Sequence, residues 1–138
     1  MRLLVLSDLH LELGTFEVPM DIAFDVVVLA GDIHNPGEKV VHWARRLSVF
    51  GETVPILVVP GNHEFYHRTL HIELAAMRSA AQGTNVHVLS EDEVLVGEVR
   101  FLAPRCGRIS RSIFVTPGPA EMSWSAMSAP RWRRPTAR

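Results

Sequence analysis

Val59-Pro60-Gly61-Asn62-His63-Glu64-Phe65-Tyr66 is the stretch on which the fold turns. It ends an apolar run, Val54 to Val59, with Pro-Gly, and then packs amide, imidazole and carboxylate side chains into three positions. Pro and Gly stop a strand, so these side chains belong to the loop that leaves it. The same order occurs twice upstream. Leu29-Ala30-Gly31-Asp32-Ile33-His34 follows the valine-rich run Phe24 to Ala30, and Ser7-Asp8-Leu9-His10-Leu11-Glu12 follows Leu3 to Leu6. Three continuous apolar runs suit strands covered on both faces, as in a parallel sheet. Loops at the carboxyl ends of such strands are where ligands bind in open α/β sheets.

Between the second and third runs, Val40, Val41, Ala44, Leu47 and Val49 or Phe50 make a helical stripe over residues 38–50, with Pro36 before it and Gly51 after it. This is the usual punctuation of a helix. Leu70, Leu74, Ala75, Met77 and Ala81 make a second stripe over residues 68–81, closed by Gly83. Val86 to Leu89 reads as a short strand, and Val94–Val96 with Val99–Ala103 as a hairpin across Gly97-Glu98. The order is β-α-β-α-β-β, with a loop in place of the first crossover helix, which predicts an α/β layered domain. The expected central strands are 2–6, 24–30 and 54–59, with a hairpin near 94–103.

The residue types set the chemistry. Asp8 and His10 alternate on one short segment, so both can reach one cation. Asp32 adds a carboxylate able to bridge two cations, and Asn62 adds a neutral amide oxygen. Mixed Asp, His and Asn donors suit Mn²⁺, Fe or Zn²⁺, whereas an all-oxygen set favours Mg²⁺ or Ca²⁺. Each residue alone has a structural reading: Asp8 and Asp32 as turn formers, Asn62 as half of a turn dipeptide, His63 as a solvated loop histidine. The pattern repeated three times in order is what carries the functional reading.

Asp8-x-His10, Gly31-Asp32 and Gly61-Asn62-His63-Glu64 together resemble the first three signature blocks of the calcineurin-like metallophosphoesterase superfamily, in a bacterial branch of single-domain members. The resemblance covers residues 1–103. It implies part of an αββα sandwich, two sheets flanked by helices, with two divalent metal ions at the strand ends. By resemblance, Asp8 and His10 bind the first metal, Asp32 bridges both, and Asn62 binds the second. His63 is then the general acid or a phosphate-contacting group and not a ligand. His34 and Glu64 stand behind these as residues of a second layer, Glu64 orienting its loop. The implied reaction is hydrolysis of a phosphate monoester or diester by attack of a metal-activated hydroxide, with two cations about 3.5–4 Å apart. His63 protonates the leaving group, a task suited to imidazole.

Two further blocks of the superfamily, a Gly-His and a Gly-His-x-His, have no counterpart, since no histidine follows His87. The second metal therefore keeps only Asp32 and Asn62. Residues 104–138 differ in kind from what precedes them. They hold five of the nine prolines, five serines and seven arginines against the single Glu121, whereas residues 1–103 carry seven Lys/Arg against fourteen Asp/Glu. Lacking a period of 2 or 3.6, this tail is expected to be disordered or of different origin. In the resembling branch the strand matching Val99-Arg100-Phe101-Leu102 continues in the manner of Gly-Ala-Thr-Leu-Trp-Thr-Asp-Phe. The codons GGC GCC ACG CTG TGG ACG GAT TTC, read one base late, give Ala103-Pro104-Arg105-Cys106-Gly107-Arg108-Ile109. A reading-frame shift near Leu102 is the resulting hypothesis, and a nucleotide sequence whose other frame lacks Gly-His-x-His would refute it.

Composition bounds the alternatives. A chain of 138 residues with 47% hydrophobic and 21% charged residues supports one modest core. The net charge of −1 argues against a polyanion binder, the single Cys106 excludes an internal disulfide framework, and no run of 18 apolar residues suggests a membrane span. A cytoplasmic location is expected. Three function classes remain: a phosphoesterase acting on a phosphorylated small molecule, a nucleotide or a phosphoprotein; a non-catalytic remnant of one; and a nucleic-acid binder using the arginines with Trp124 and Trp132, for which no binding fold is recognised. His67 and His71, four residues apart, read as a solvated helical pair, and His42 and His87 as structural.

Overall fold

The structure is a computed structural model and describes residues 1–19, 21–103, 114–117 and 132–133. Four parallel strands, β1 (Leu3–Leu6), β2 (Val26–Leu29), β3 (Ile56–Val58) and β4 (Val86–Val88), lie side by side in chain order. Helices α1 (Glu38–Arg46) and α2 (Leu70–Ala81) make the crossovers to β3 and β4. A second sheet is antiparallel. Its hairpin strands β5 (Asp92–Val96) and β6 (Val99–Ala103) are flanked by β7 (Phe114–Pro117) and β8 (Trp132–Arg133), in the order β7-β6-β5-β8.

Alternation along the parallel strands sorts the core into two layers. Val27, Leu29, Ile56, Val58, Val86 and Val88 face the helices, where they meet Val40, Val41, Ala44, Phe50 and Met77. Val26, Val28, Leu57 and Val59 face the other way, toward Val94, Val96, Phe101 and Ala103 of the second sheet. All four residues of β2 are fully buried, and a buried Val or Leu contributes about 1.5–3 kcal/mol. Helices, parallel sheet and antiparallel sheet thus form three stacked layers of a mixed α/β fold, consistent with part of a metallophosphoesterase sandwich.

The first strand spans its apolar run, whereas the second and third are shorter than the runs Phe24–Ala30 and Val54–Val59 that mark them; Ala30 and Val59 still donate to Leu6 O and Leu29 O as the chain leaves the sheet. The first run also differs in placement. β1 pairs only with β2 among the described residues, and its alternate residues Leu3 and Val5 are exposed, Val5 by 55%. It is covered on the helix side, where Leu4 and Leu6 pack, and open on the other. The first helix ends at Arg46 and not at Phe50. Leu47 turns extended, and Ser48–Phe50 form a separate 3₁₀ turn that drops Phe50 into the core. His67 lies before α2 with a φ of +60°, so it does not share a helical face with His71. Of the tail, Phe114–Pro117 pairs antiparallel with β6 and Trp132–Arg133 with β5, while the rest of the segment expected to be disordered lies outside the described residues.

No helix among the described residues is long and apolar enough to cross a membrane.

Candidate metal centre

Backbone hydrogen bonds bring the three motif loops together at the carboxyl ends of β1, β2 and β3. Asp8 N–H donates to Gly31 O at 3.0 Å, His10 N–H to Asp32 O at 3.1 Å and Leu11 N–H to Ile33 O at 2.9 Å, so the first loop runs on as a ladder along the second. The second and third loops touch through their glycines. A β-carbon on Gly31 would lie 3.0 Å from Gly61 Cα, and one on Gly61 would collide with Asp32 Oδ1 and sit 2.9 Å from Asp32 N. Glycine at these two positions is a requirement of the approach.

Glu64 then ties these loops. Its carboxylate is 1% exposed and accepts the amides of Asp32 (3.0 Å), Ile33 (2.6 Å) and Gly61 (2.7 Å). Glu64 is thereby spent on backbone amides of the second and third loops. A buried carboxylate satisfied in this way is stable where an unpaired one would not be.

Asp8, His10 and Asp32 bring one ligand atom each to within 4.8 Å of one another. All three have left-handed backbones, with φ of +56°, +46° and +55°. Such conformations cost about 1–3 kcal/mol each and persist where surrounding bonds hold them, often at functional sites. Here the ladder and the Glu64 clamp do so. Asp32 is buried and also accepts the His63 amide at 3.1 Å through Oδ1.

A residue given no role by the sequence joins them. Glu12 meets His63 Nε2 through Oε1, which also lies 3.5 Å from His10 Nδ1. Its Oε2 lies 3.7 Å from His34 Nδ1 and accepts the Asn35 amide at 3.3 Å. Partial burial pushes this carboxyl up, but bonds from its own backbone amide, from His63 and from Asn35 outweigh that and pull it down to about 2. His10, Glu12 and His63 form a second group of donors within 4.8 Å, sharing His10 with the first. The signal that would have found Glu12 is its place two residues past His10, on the same segment.

His63 stands edge-on to His10, with ring centroids 4.6 Å apart, and to Tyr66, at 4.8 Å. Asn62 sits one residue from Gly61, and its side-chain amide donates to Tyr66 Oη at 3.2 Å. His34 is turned inward by a 2.8 Å bond to Asn35 O. His42 is exposed on α1, and His87 is buried in β4, where burial pushes its imidazole below its ordinary value.

The donors present fit a divalent cation at Asp8, His10 and Asp32: two carboxylates and an imidazole, converging on a cradle from which Gly61 keeps a β-carbon away. Asn62, expected to serve a second cation with Asp32, follows Gly61 directly, and the contact its side chain makes is the one to Tyr66 Oη.

The three-layer α/β fold gathers carboxylates and histidines at three neighbouring strand ends, the donor types of a divalent-metal site. A family model described as calcineurin-like phosphoesterase matches residues 1–129, and the chain belongs to that family, whose members bind divalent metals. No curated protein and no solved structure matches the chain.

Proposed function

We propose that this chain is a phosphoesterase that hydrolyses a phosphate monoester or diester with the help of divalent cations of the Mn²⁺, Fe or Zn²⁺ kind. The observation that carries the reading is the convergence of Asp8, His10 and Asp32 within 4.8 Å, each held in a left-handed backbone. These three side chains would hold the first cation, and Asp32 with Asn62 would hold the second. Bound cations supply Lewis-acid activation of water and neutralise charge on the phosphoryl oxygens. Glu12 engages the imidazole of His63 at Nε2, which leaves Nδ1 as the ring nitrogen available to a leaving oxygen. His10, edge-on to the same ring, limits its rotation.

Among the described residues the second cation would have few protein ligands, so weak binding of it and slow turnover are expected of these residues by themselves. That favours a second reading, a non-catalytic remnant that keeps the fold and one cation. Hydrolysis of bis(p-nitrophenyl) phosphate with Mn²⁺ separates the two. Turnover above that of Asp32→Ala supports the phosphoesterase, and a rate equal to that control supports the remnant.

A further inference from the structure

A cleft of about 560 Å³ opens beside the metal centre, between α1 and the loop that follows the first motif. Lys39, His42 and Arg46 line it from one face of α1, and His34 lines it from the second motif loop. Trp43 and Phe16 make its apolar wall, both packed on the helix-side core. Among the described residues no carboxylate lines it, although residues 1–103 hold twice as many acidic as basic residues.

The cations of this cleft also differ from the rest in their partners. Arg2 pairs with Asp25, Arg68 with Glu73, Arg78 with Asp92 and Arg100 with Glu93. Arg45 donates to Ala80 O at 3.3 Å. Among the Lys and Arg residues of 1–103, only Lys39 and Arg46 have neither a carboxylate nor a carbonyl of the described residues for their side-chain charge, and both line this cleft. Two unpaired cations with two imidazoles in a concave surface make an electropositive pocket in an otherwise acidic body. Arg46 closes the last turn of α1, but the helix terminus does not account for Lys39, two turns earlier.

The cleft is joined to the metal centre through one side chain. His34 lines the cleft, and its Nδ1 lies 3.7 Å from Glu12 Oε2, the carboxylate that touches His63.

We propose that this cleft is an anion subsite that holds a second phosphate group of the substrate while the scissile phosphate lies at Asp8, His10 and Asp32. The substrate class is then a phosphoester with two phosphate groups, with Trp43 and Phe16 against the apolar part between them. The anion subsite stands on the cleft alone; its assignment to substrate rests on the phosphoesterase reading.

The test uses inorganic pyrophosphate as probe in EDTA, so that no cation contributes. Amide and indole shifts in ¹H–¹⁵N spectra of the full chain are followed on titration. Saturable shifts at Lys39, His42, Trp43 and Arg46 are expected, with affinity at least tenfold weaker in Lys39→Gln/Arg46→Gln and unchanged within about twofold in Asp8→Asn, about 0.4 kcal/mol. These exposed substitutions leave the fold intact, which the spectra themselves report. Absent shifts, or equal affinity in the double variant, overturn the subsite. If the shifts occur but bis(p-nitrophenyl) phosphate is not hydrolysed, the subsite holds and its assignment to a phosphoesterase substrate fails.

Discussion

Glu64 Oε1 accepts the amide of Ile33 at 2.6 Å, across thirty-one residues of chain. One carboxylate thereby fixes the turn that carries Asp32 to the turn that carries His63. Its other oxygen takes the amides of Asp32 and Gly61, so the bond is part of a clamp and not a lone contact.

Glu64→Gln keeps one acceptor oxygen but turns the other into an NH₂ group whose hydrogens face backbone N–H donors, either that of Ile33 or those of Asp32 and Gly61. Hydrogen bonds to a charged group are worth about 1.5–3 kcal/mol, and losing one in a buried setting also leaves donors unsatisfied. A loss of about 3 kcal/mol is expected in urea unfolding, read as a lower midpoint at unchanged m. A change below about 1 kcal/mol would contradict the clamp.

Gly61→Ala puts a β-carbon onto Asp32 Oδ1. The carboxylate has to swing away or the two turns have to part. Overpacking of this kind costs about 1–3 kcal/mol. Mn²⁺ affinity measured by calorimetry should fall at least tenfold, since Asp32 is displaced from Asp8 and His10. Wild-type affinity in this variant would show that Asp32 does not bind the ion from its present position.

His87 is buried in β4, and burial lowers its tendency to take a proton. The unfolded chain therefore protonates this side chain first as pH falls below about 6.5. The unfolded state then binds more protons than the native state, so native stability decreases with falling pH. Urea midpoints between pH 7 and pH 5 should decline more steeply in the wild type than in His87→Gln. Parallel slopes in the two proteins would remove His87 from the account.

Leu3 and Val5 lie opposite Val26 and Val28 in the ladder and share their face of the sheet, but they are left open to solvent. An open strand edge with exposed apolar residues favours association. Leu3→Thr/Val5→Thr should raise the concentration at which sedimentation detects oligomers, at a stability cost below about 1 kcal/mol, because threonine keeps the β preference. Unchanged association would place the sticky surface elsewhere.

The parts of this molecule that were legible in the sequence are those governed by local pattern. Val26–Leu29 and Ile56–Val58 announce themselves as strands because they are apolar on both faces, and α1 shows its stripe and flanking Pro36 and Gly51. Asp8, His10 and Asp32 meet because each follows a strand of one parallel sheet. What the pattern hid depends on tertiary partners. β5 begins at Asp92 and Glu93, polar residues made strand by pairing with Ala103 and Leu102. The open face of β1 has the same apolar composition as the closed faces, so composition alone does not distinguish them. Glu12 lies two residues past His10, a spacing that hints at it, but its role comes from His63, fifty-one residues away, and a single stretch of sequence does not show that partner.

The ladder from Asp8 to Ile33 and the clamp at Glu64 are complete within the first sixty-four residues. Synthesis delivers the chain from its amino end, although a domain folds as a unit. On a ribosome the cation cradle is therefore among the earliest parts of this polypeptide to have all its bonding partners exposed together, ahead of the second sheet. The side chains gathered at the three strand ends thus depend for their mutual placement on nothing encoded after the third motif.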